Sequence, residues 1–251
     1  MKILSLNTWG GLAGKEGILD FLKKHSDVDV FCLQEVWSGG EEAIKSYPEL
    51  GDMSGIMHDF LDEASRVLSG HDYYFRPHVG DHYGLAIFFK KTLPFEQESE
   101  VFVHKNKSFI PEDHIGKHAR NLQSLRIGGE NALTIFNFHG LWNGQGKSDS
   151  PDRIVQSENI VKALKECDGP SVLIGDFNLL PDTESIKIIE TAGLKNLITD
   201  YDITSTRTSL YKKDLRFADY AFSSPELNIE NFEILPDEVS DHSALLLEIT
   251  L

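Results

Sequence analysis

The feature that most constrains this chain is a series of short apolar runs, each closed by a turn signal, with several ending on a polar or titratable residue. They occupy residues 2–7, 28–34, 73–77, 84–90, 121–127, 132–138, 171–177, 217–223, 227–235 and 243–250. Runs such as GLAIFFK and SALLLEIT are too uniformly apolar for a sheet with one wet face, so they predict strands covered on both sides. Helical periodicity separates some of them. Apolar residues at three-and-four spacing predict helices over 16–24 and 54–68. A third, over 151–166, opens with Ser150 as its cap and Pro151 in its first turn, and a short one covers 184–191. About ten strands with interspersed helices imply sheets inside and helices outside.

No Pro/Gly/Ser-rich linker, block of like charge or long-period repeat interrupts the pattern, so one domain over residues 1–251 is expected. The opening MKILSLNTWGG enters a strand pattern without the flank and apolar core of a signal peptide, and no run approaches a membrane span. A cytoplasmic protein without membrane insertion is the expectation. Formal charge is −16, from 24 Lys and Arg against 40 Asp and Glu, which excludes binding nucleic acid or membrane by bulk electrostatics. It leaves room for a local anion site: residues 103–126 and 205–216 each carry a positive excess, the first with Lys105, Lys107, Lys117, Arg120 and Arg126 against Glu112 and Asp113. Cys32 and Cys167 form no metal or redox spacing and are read as buried free thiols.

The chemistry concentrates at the strand ends. In LIGDFNLLPD, Asp176 and Asn178 are two apart, so in extended chain they face the same side, and Gly175 lets backbone pass close; the same pair also begins turns. FCLQEVW places Glu35 at the end of an apolar strand, where a carboxylate is costly unless it meets a cation or an open cleft. LSLNTWG ends on Asn7, IFNFHGLW on His139, RFADYAF sets Asp219 within a strand, and SDHSALLLEI carries Asp241 and His242 side by side. Asp219 is available to fix a histidine tautomer. Glu35, Asp176, Asp241, Asn7 and Asn178 form an oxygen-rich set without thiolates or paired histidines, which favours Mg²⁺ or Mn²⁺ over zinc. Such ions commonly act on phosphates.

Taken in order, LSLNTWG, LQEVW, GLAIFFKK, NFHGLW, GDFNLLPD, FADYAF and SDHSALL resemble the endonuclease/exonuclease/phosphatase superfamily, the deoxyribonuclease I-like metal phosphoesterases, over nearly the whole chain. The resemblance implies an α/β fold, a four-layer α/β/β/α sandwich of two stacked, mainly antiparallel sheets flanked by helices, with a cleft across the strand ends. It also implies roles. Glu35 would bind the metal, with Asn7 and Asp241 beside it. Asp176 would position or deprotonate the attacking water, and Asn178 would hold that water or a phosphate oxygen. His139 would contact the scissile phosphate, and His242, oriented by Asp219, would serve as acid, base or phosphate ligand. Arg120 stands where relatives often carry a phosphate-side cation, and Trp142 is placed either to stack on a base or sugar or simply to pack. The segment HGLWNGQGKSDSPDRIVQSENI is similar to uncharacterised prokaryotic members.

The expected reaction is metal-dependent hydrolysis of a phosphodiester by in-line water attack. A nuclease or nucleic-acid-end phosphodiesterase on short, single-stranded or damaged nucleic acid comes first. A lipid or small phosphoester, as in sphingomyelinase-like or inositol-phosphate-like enzymes, is the alternative. A binding module that has lost catalysis would lack a carboxylate or histidine of the set, and none is missing.

Overall fold

The computed structural model describes residues 1–40, 54–112, 115–129 and 132–250. Asp113, counted in the first basic stretch, lies outside them. Two six-stranded sheets form the body. The first contains β1 (Lys2–Asn7), β2 (Val30–Trp37), β3 (His71–Val79), β4 (Tyr83–Lys90), β11 (Asn228–Ile234) and β12 (Leu245–Thr250), in the order β11-β12-β1-β2-β4-β3. The second contains β5 (Phe95–His104), β6 (Arg120–Ile127), β7 (Leu133–His139), β8 (Ser171–Asp176), β9 (Lys195–Asn196) and β10 (Asp219–Ser223), in the order β5-β6-β7-β8-β10-β9. Every pairing is antiparallel except β1–β2 and β7–β8. These two parallel pairs hold the same third and fourth places in the two strand orders.

Period-two alternation gives each central strand two apolar faces. Ile3, Val30, Cys32 and Ile87 of the first sheet pack with Leu125, Ile135, Val172 and Ile174 of the second, so the sheets are stacked. Leu4, Leu6, Phe31, Leu33 and Phe88 face the other way, against Ile18, Phe21 and Leu22 of α1 (Lys15–Lys24) and Phe60, Leu61 and Ala64 of α2 (Phe60–Val67). Over the second sheet, α3 (Pro151–Lys165) contributes Ile160 and Leu164, and α4 (Glu184–Glu190) contributes Ile186 and Ile189. The four-layer sandwich is therefore present. Ser150 caps α3 by accepting from the Arg153 amide, with Pro151 in the first turn, as the sequence predicts.

Several elements differ from expectation. α2 starts at Phe60, because residues 54–59 form turns, and β10 starts at Asp219, so that carboxylate caps its strand instead of sitting mid-strand. Two strands, β5 and the two-residue β9, and the one-turn α5 (Leu197–Asp200) have no counterpart among the predicted runs. Cys32 is buried but Cys167 is only half-buried. No described helix is long and apolar enough to cross a membrane.

Candidate active site

The carboxyl ends of the two parallel pairs meet across the sheet interface. Asn7 ends β1, Glu35 lies near the end of β2, His139 ends β7 and Asp176 ends β8. Asn7, His139 and Asp176 arrive by plain alternation: Ile3 and Ser5 precede Asn7 on its face, Ile135 and Asn137 precede His139, and Val172 and Ile174 precede Asp176.

Glu35 does not. Alternation from Phe31 and Leu33 would turn it towards the helices. A β-bulge between Leu33 and Val36, with Glu35 at φ 56°, turns it into the cleft instead. Thr8 Oγ1 secures the bulge by donating to the carbonyls of Gln34 and Glu35, both at 3.0 Å. Beneath it, Gln34 Nε2 donates to Asn137 Oδ1 at 2.8 Å, a buried polar tie between the sheets.

The GDFN turn is held from below. Phe177 is fully buried against the rings of Phe138, Tyr220 and Phe222, so the apolar residue between Asp176 and Asn178 anchors both. Gly175 has φ 147°, and a Cβ there would fall 2.0 Å from the Phe138 carbonyl oxygen. Only glycine fits so close an approach.

Asn7 joins the two sides. Its Nδ2 donates to Glu35 Oε1 at 3.1 Å and to Asp176 Oδ2 at 2.9 Å, while its Oδ1 accepts from the Trp9 amide at 2.9 Å. The Asn178 amide donates to Asp176 Oδ1 at 2.8 Å. His242 Nδ1 lies 2.8 and 2.9 Å from the two Asp219 oxygens, which fixes the ring. Its Nε2 stops 3.5 Å from Asp176 Oδ2 and 3.7 Å from Asp241 Oδ1. His139 Nε2 likewise stops 3.7 Å from Asp176 Oδ2 and 3.8 Å from Glu35 Oε1. These gaps exceed hydrogen-bond length, so both imidazoles converge on the carboxylates without closing onto them.

Electrostatics follow from burial. Desolvation, with Asp241 and Asp176 adding repulsion, pushes Glu35 up to about 7 despite the Asn7 bond. Burial and cationic neighbours, Arg120 for His139 and Arg207 for His242, press both histidines below their ordinary value, so both are neutral at pH 7. Burial raises Asp219.

Two groupings here suit a cation. Ligand-type atoms of Asp176, Asp219 and His242 lie within 4.8 Å of one another. Both Asp219 oxygens are, however, engaged by His242. The Glu35 side is freer: Asp241 Oδ1 is buried with no hydrogen-bond partner among the described residues, and the burial and carboxylate repulsion that raise Glu35 are what a divalent ion relieves. Oxygen donors from Glu35 and Asp241, without sulfur, fit a hard ion, whereas Asn7 turns its Nδ2 to the carboxylates and its Oδ1 to the Trp9 amide, so it braces Glu35 and offers no free oxygen there.

All ten residues singled out in the sequence come together. Glu35, Arg120, His139, Trp142, Asp176, Asn178, Asp241 and His242 line one cleft of about 420 Å³, with Asn7 and Asp219 hydrogen-bonded directly behind. Arg120 is buried at the start of β6. Its Nη2 donates to the Gly116 carbonyl at 3.0 Å, and its guanidinium also interacts with the Tyr83 hydroxyl. Trp142 is half-buried, with Lys213 Nζ 5.4 Å from its ring.

Sequence reasoning missed several wall residues. Arg207 Nη1 donates to Asp241 Oδ2 at 2.8 Å and its guanidinium lies 4.1 Å over the Tyr211 ring. The only sequence signal was the positive excess in 205–216. Trp9, Trp37, Tyr83, His118 and Lys147 also line the cleft and carried no signal of their own.

A profile of the endonuclease/exonuclease/phosphatase family matches residues 4–242, nearly the whole chain. The chain belongs to the endonuclease/exonuclease/phosphatase family. Members of this family are metal-dependent, hydrolytic phosphoesterases. Solved structures carry the same fold. The mannosyl-6-phosphatase of Bacteroides thetaiotaomicron is 16% identical with a TM-score of 0.73, each chain covered over 100%. A humanized D. rerio TDP2 is 16% identical with a TM-score of 0.66, covering 100% of this chain and 99% of the other. The human nocturnin catalytic domain with bound sulfate is 17% identical with a TM-score of 0.65, covering 100% and 94%. At such identities the likeness concerns the fold. No curated protein matches the chain in sequence.

Proposed function

We propose that this member of the endonuclease/exonuclease/phosphatase family is a Mg²⁺- or Mn²⁺-dependent phosphoesterase, one domain over residues 1–251, that hydrolyses its ester by in-line attack of water. The observation that carries the reading is the Asn7 carboxamide bridging Glu35 and Asp176 while two neutral imidazoles point their Nε2 atoms at Asp176.

Glu35 and Asp241 would hold the ion, with the Asn7 carboxamide fixing Glu35 beside it. Once bound, such an ion neutralises phosphate oxygens and developing negative charge. Asp176, held by Asn7 and the Asn178 amide, orients the attacking water and is placed to take its proton. His139 faces the gap beside Glu35 and Asp176 and meets the scissile phosphate. His242, its Nδ1 fixed on Asp219, presents Nε2 to the same phosphate. The base is Asp176 or His242. Arg120 supplies a phosphate-side cation, and Trp142 offers a ring face to the group carried by the ester.

For substrate, a phosphodiester at a nucleic-acid end or in a short single strand is the first reading. A cleft of about 420 Å³, walled by Trp9, Trp37, Tyr83, Trp142 and Tyr211, suits one phosphate with one attached ring, and a net charge of −16 disfavours long duplex. The same cleft supports a second reading, a small phosphoester such as a sugar phosphate, which the likeness to a mannosyl-6-phosphatase also favours.

The test is a panel of plasmid, single-stranded and 5′-tyrosyl oligonucleotides, sphingomyelin, inositol phosphates and hexose 6-phosphates, each with Mg²⁺, Mn²⁺ or EDTA. Hydrolysis abolished by EDTA and lost in Asp176→Asn supports the reading. Asp176→Asn cleaving at the wild-type rate would sink it.

A further inference from the structure

The segment GLWNGQGKSDSPDRIVQS, residues 140–157, folds around a buried guanidinium. Arg153 is 1% exposed. It donates to the carbonyls of Leu141 at 3.2 Å, Gly146 at 2.9 Å and Ser148. Asp149 caps α4 by accepting from the amides of Glu184 at 2.8 Å and Ser185 at 2.9 Å. The Leu180 amide, just past the GDFN turn, donates to the Lys147 carbonyl at 3.0 Å. Backbone is thereby fixed on both sides of Lys147.

The Lys147 side chain is 1% exposed and lines the cleft with Asp176, Asn178, Asp241 and His242. Its Nζ donates once, to the Phe217 carbonyl at 2.7 Å, and among the described residues no carboxylate lies within 4.0 Å of it. An ammonium has three donors, so two remain. Asp176, Asp219 and Asp241 favour its charge only from beyond ion-pair distance, so burial is offset incompletely. Arg153 is also buried, but carbonyls satisfy it; Lys147 has one hydrogen bond and the Tyr211 ring 5.4 Å from its Nζ, which leaves donors for a ligand in the cleft it lines. Burial and Arg207 pull it down to about 8, so it is still mainly charged at pH 7.

The strand order adds direction. Arg120 opens β6, and Phe217, the acceptor for Lys147, lies two residues before β10. Between those strands stand β7 and β8, which end on His139 and Asp176. The two buried cations, Arg120 and Lys147, therefore flank that pair.

We propose that Lys147 is a substrate-contacting cation that bonds a non-bridging oxygen of the scissile phosphate from the flank opposite Arg120. The assignment rests on the phosphoesterase reading above. The competing role is structural: a tether holding residues 140–149 to Phe217.

Lys147→Gln separates the two, because it keeps an N–H for the Phe217 carbonyl and deletes the charge. The probe is inorganic phosphate, titrated by calorimetry with Mn²⁺ present and as a competitive inhibitor. The expected result is phosphate binding weakened about tenfold or more. Mn²⁺ affinity should hold, melting temperature should be unchanged or higher, and Lys147→Arg should recover phosphate binding. Phosphate binding within about threefold of wild type overturns the assignment, as does a loss that tracks a lower melting temperature. Should Lys147→Gln not fold, Lys147→Met, which keeps the buried stem, takes its place in the same titration. A wild-type protein that neither binds phosphate nor hydrolyses any ester overturns the phosphoesterase reading, and this assignment with it.

Discussion

The Asn7 carboxamide donates to the Asp176 carboxylate at 2.9 Å across the interface between the two sheets, joining residues 169 positions apart in the chain. A single neutral side chain thus fixes the spacing between the carboxylate read as water-positioning and Glu35, read as metal-binding. Asn7→Ala removes both bonds and leaves two buried carboxylates under-solvated. It should lower stability by about 1–3 kcal/mol and kcat by about 100-fold or more. Chemical denaturation and initial rates check the two effects separately.

Glu35 carries a pH signature with a definite sign. Its folded value of about 7 stands above the ordinary 4.5, so the folded protein binds the extra proton and stability falls as pH rises between those values. The cost is complete above pH ~7 and absent below ~4.5. Glu35→Gln removes it. In metal-free protein the variant should be more stable than wild type by on the order of 1–3 kcal/mol at pH 8, with no difference at pH 4, and it should be inactive. Melting curves across that range, with EDTA present, would refute this if the gain were independent of pH.

Arg207 pairs with Asp241 through a 2.8 Å bond between largely buried groups. Arg207→Met strands that carboxylate, so stability should drop by about 3 kcal/mol at neutral pH. Mn²⁺, by resupplying positive charge, should rescue the melting temperature of the variant more than that of wild type.

Gly175 tests the closeness of β7 and β8. Gly175→Ala drives a methyl onto the Phe138 carbonyl, 2.0 Å from the ideal Cβ position. Backbone must shift, at an expected cost of about 3 kcal/mol or more, and Asp176 moves with it. By contrast, Gly17→Ala on α1, where a Cβ meets nothing, should be neutral or slightly stabilising. Equal effects in the two variants would contradict the packing described here.

How far the sequence reveals this site depends on how each residue reaches it. Asn7, His139 and Asp176 are delivered by unbroken alternation at the ends of apolar strands, so the pattern alone points to them. Glu35 was legible as a costly carboxylate, but the bulge that aims it was not, since the apolar run was read as ending at residue 34 while the strand continues through the bulge to Trp37. Arg207 and Lys147 sit in polar loops, where a cation bound for a cleft has the same spelling as one bound for solvent. β5, FEQESEVFVH, is largely exposed, so its charged residues hid a strand that the apolar runs could not reveal. β9 exists only through its two-residue pairing with β10, a contact no local pattern encodes.

The central claim is that Glu35 and Asp241, with Asn7, gather one hard cation beside Asp176. Anomalous scattering from crystals grown with Mn²⁺ tests it most directly. The account predicts one manganese peak within coordination distance of the Glu35 and Asp241 carboxylates, absent in Glu35→Gln crystals. A peak held instead by Asp176, Asp219 and His242, or no manganese in the cleft at all, would contradict it.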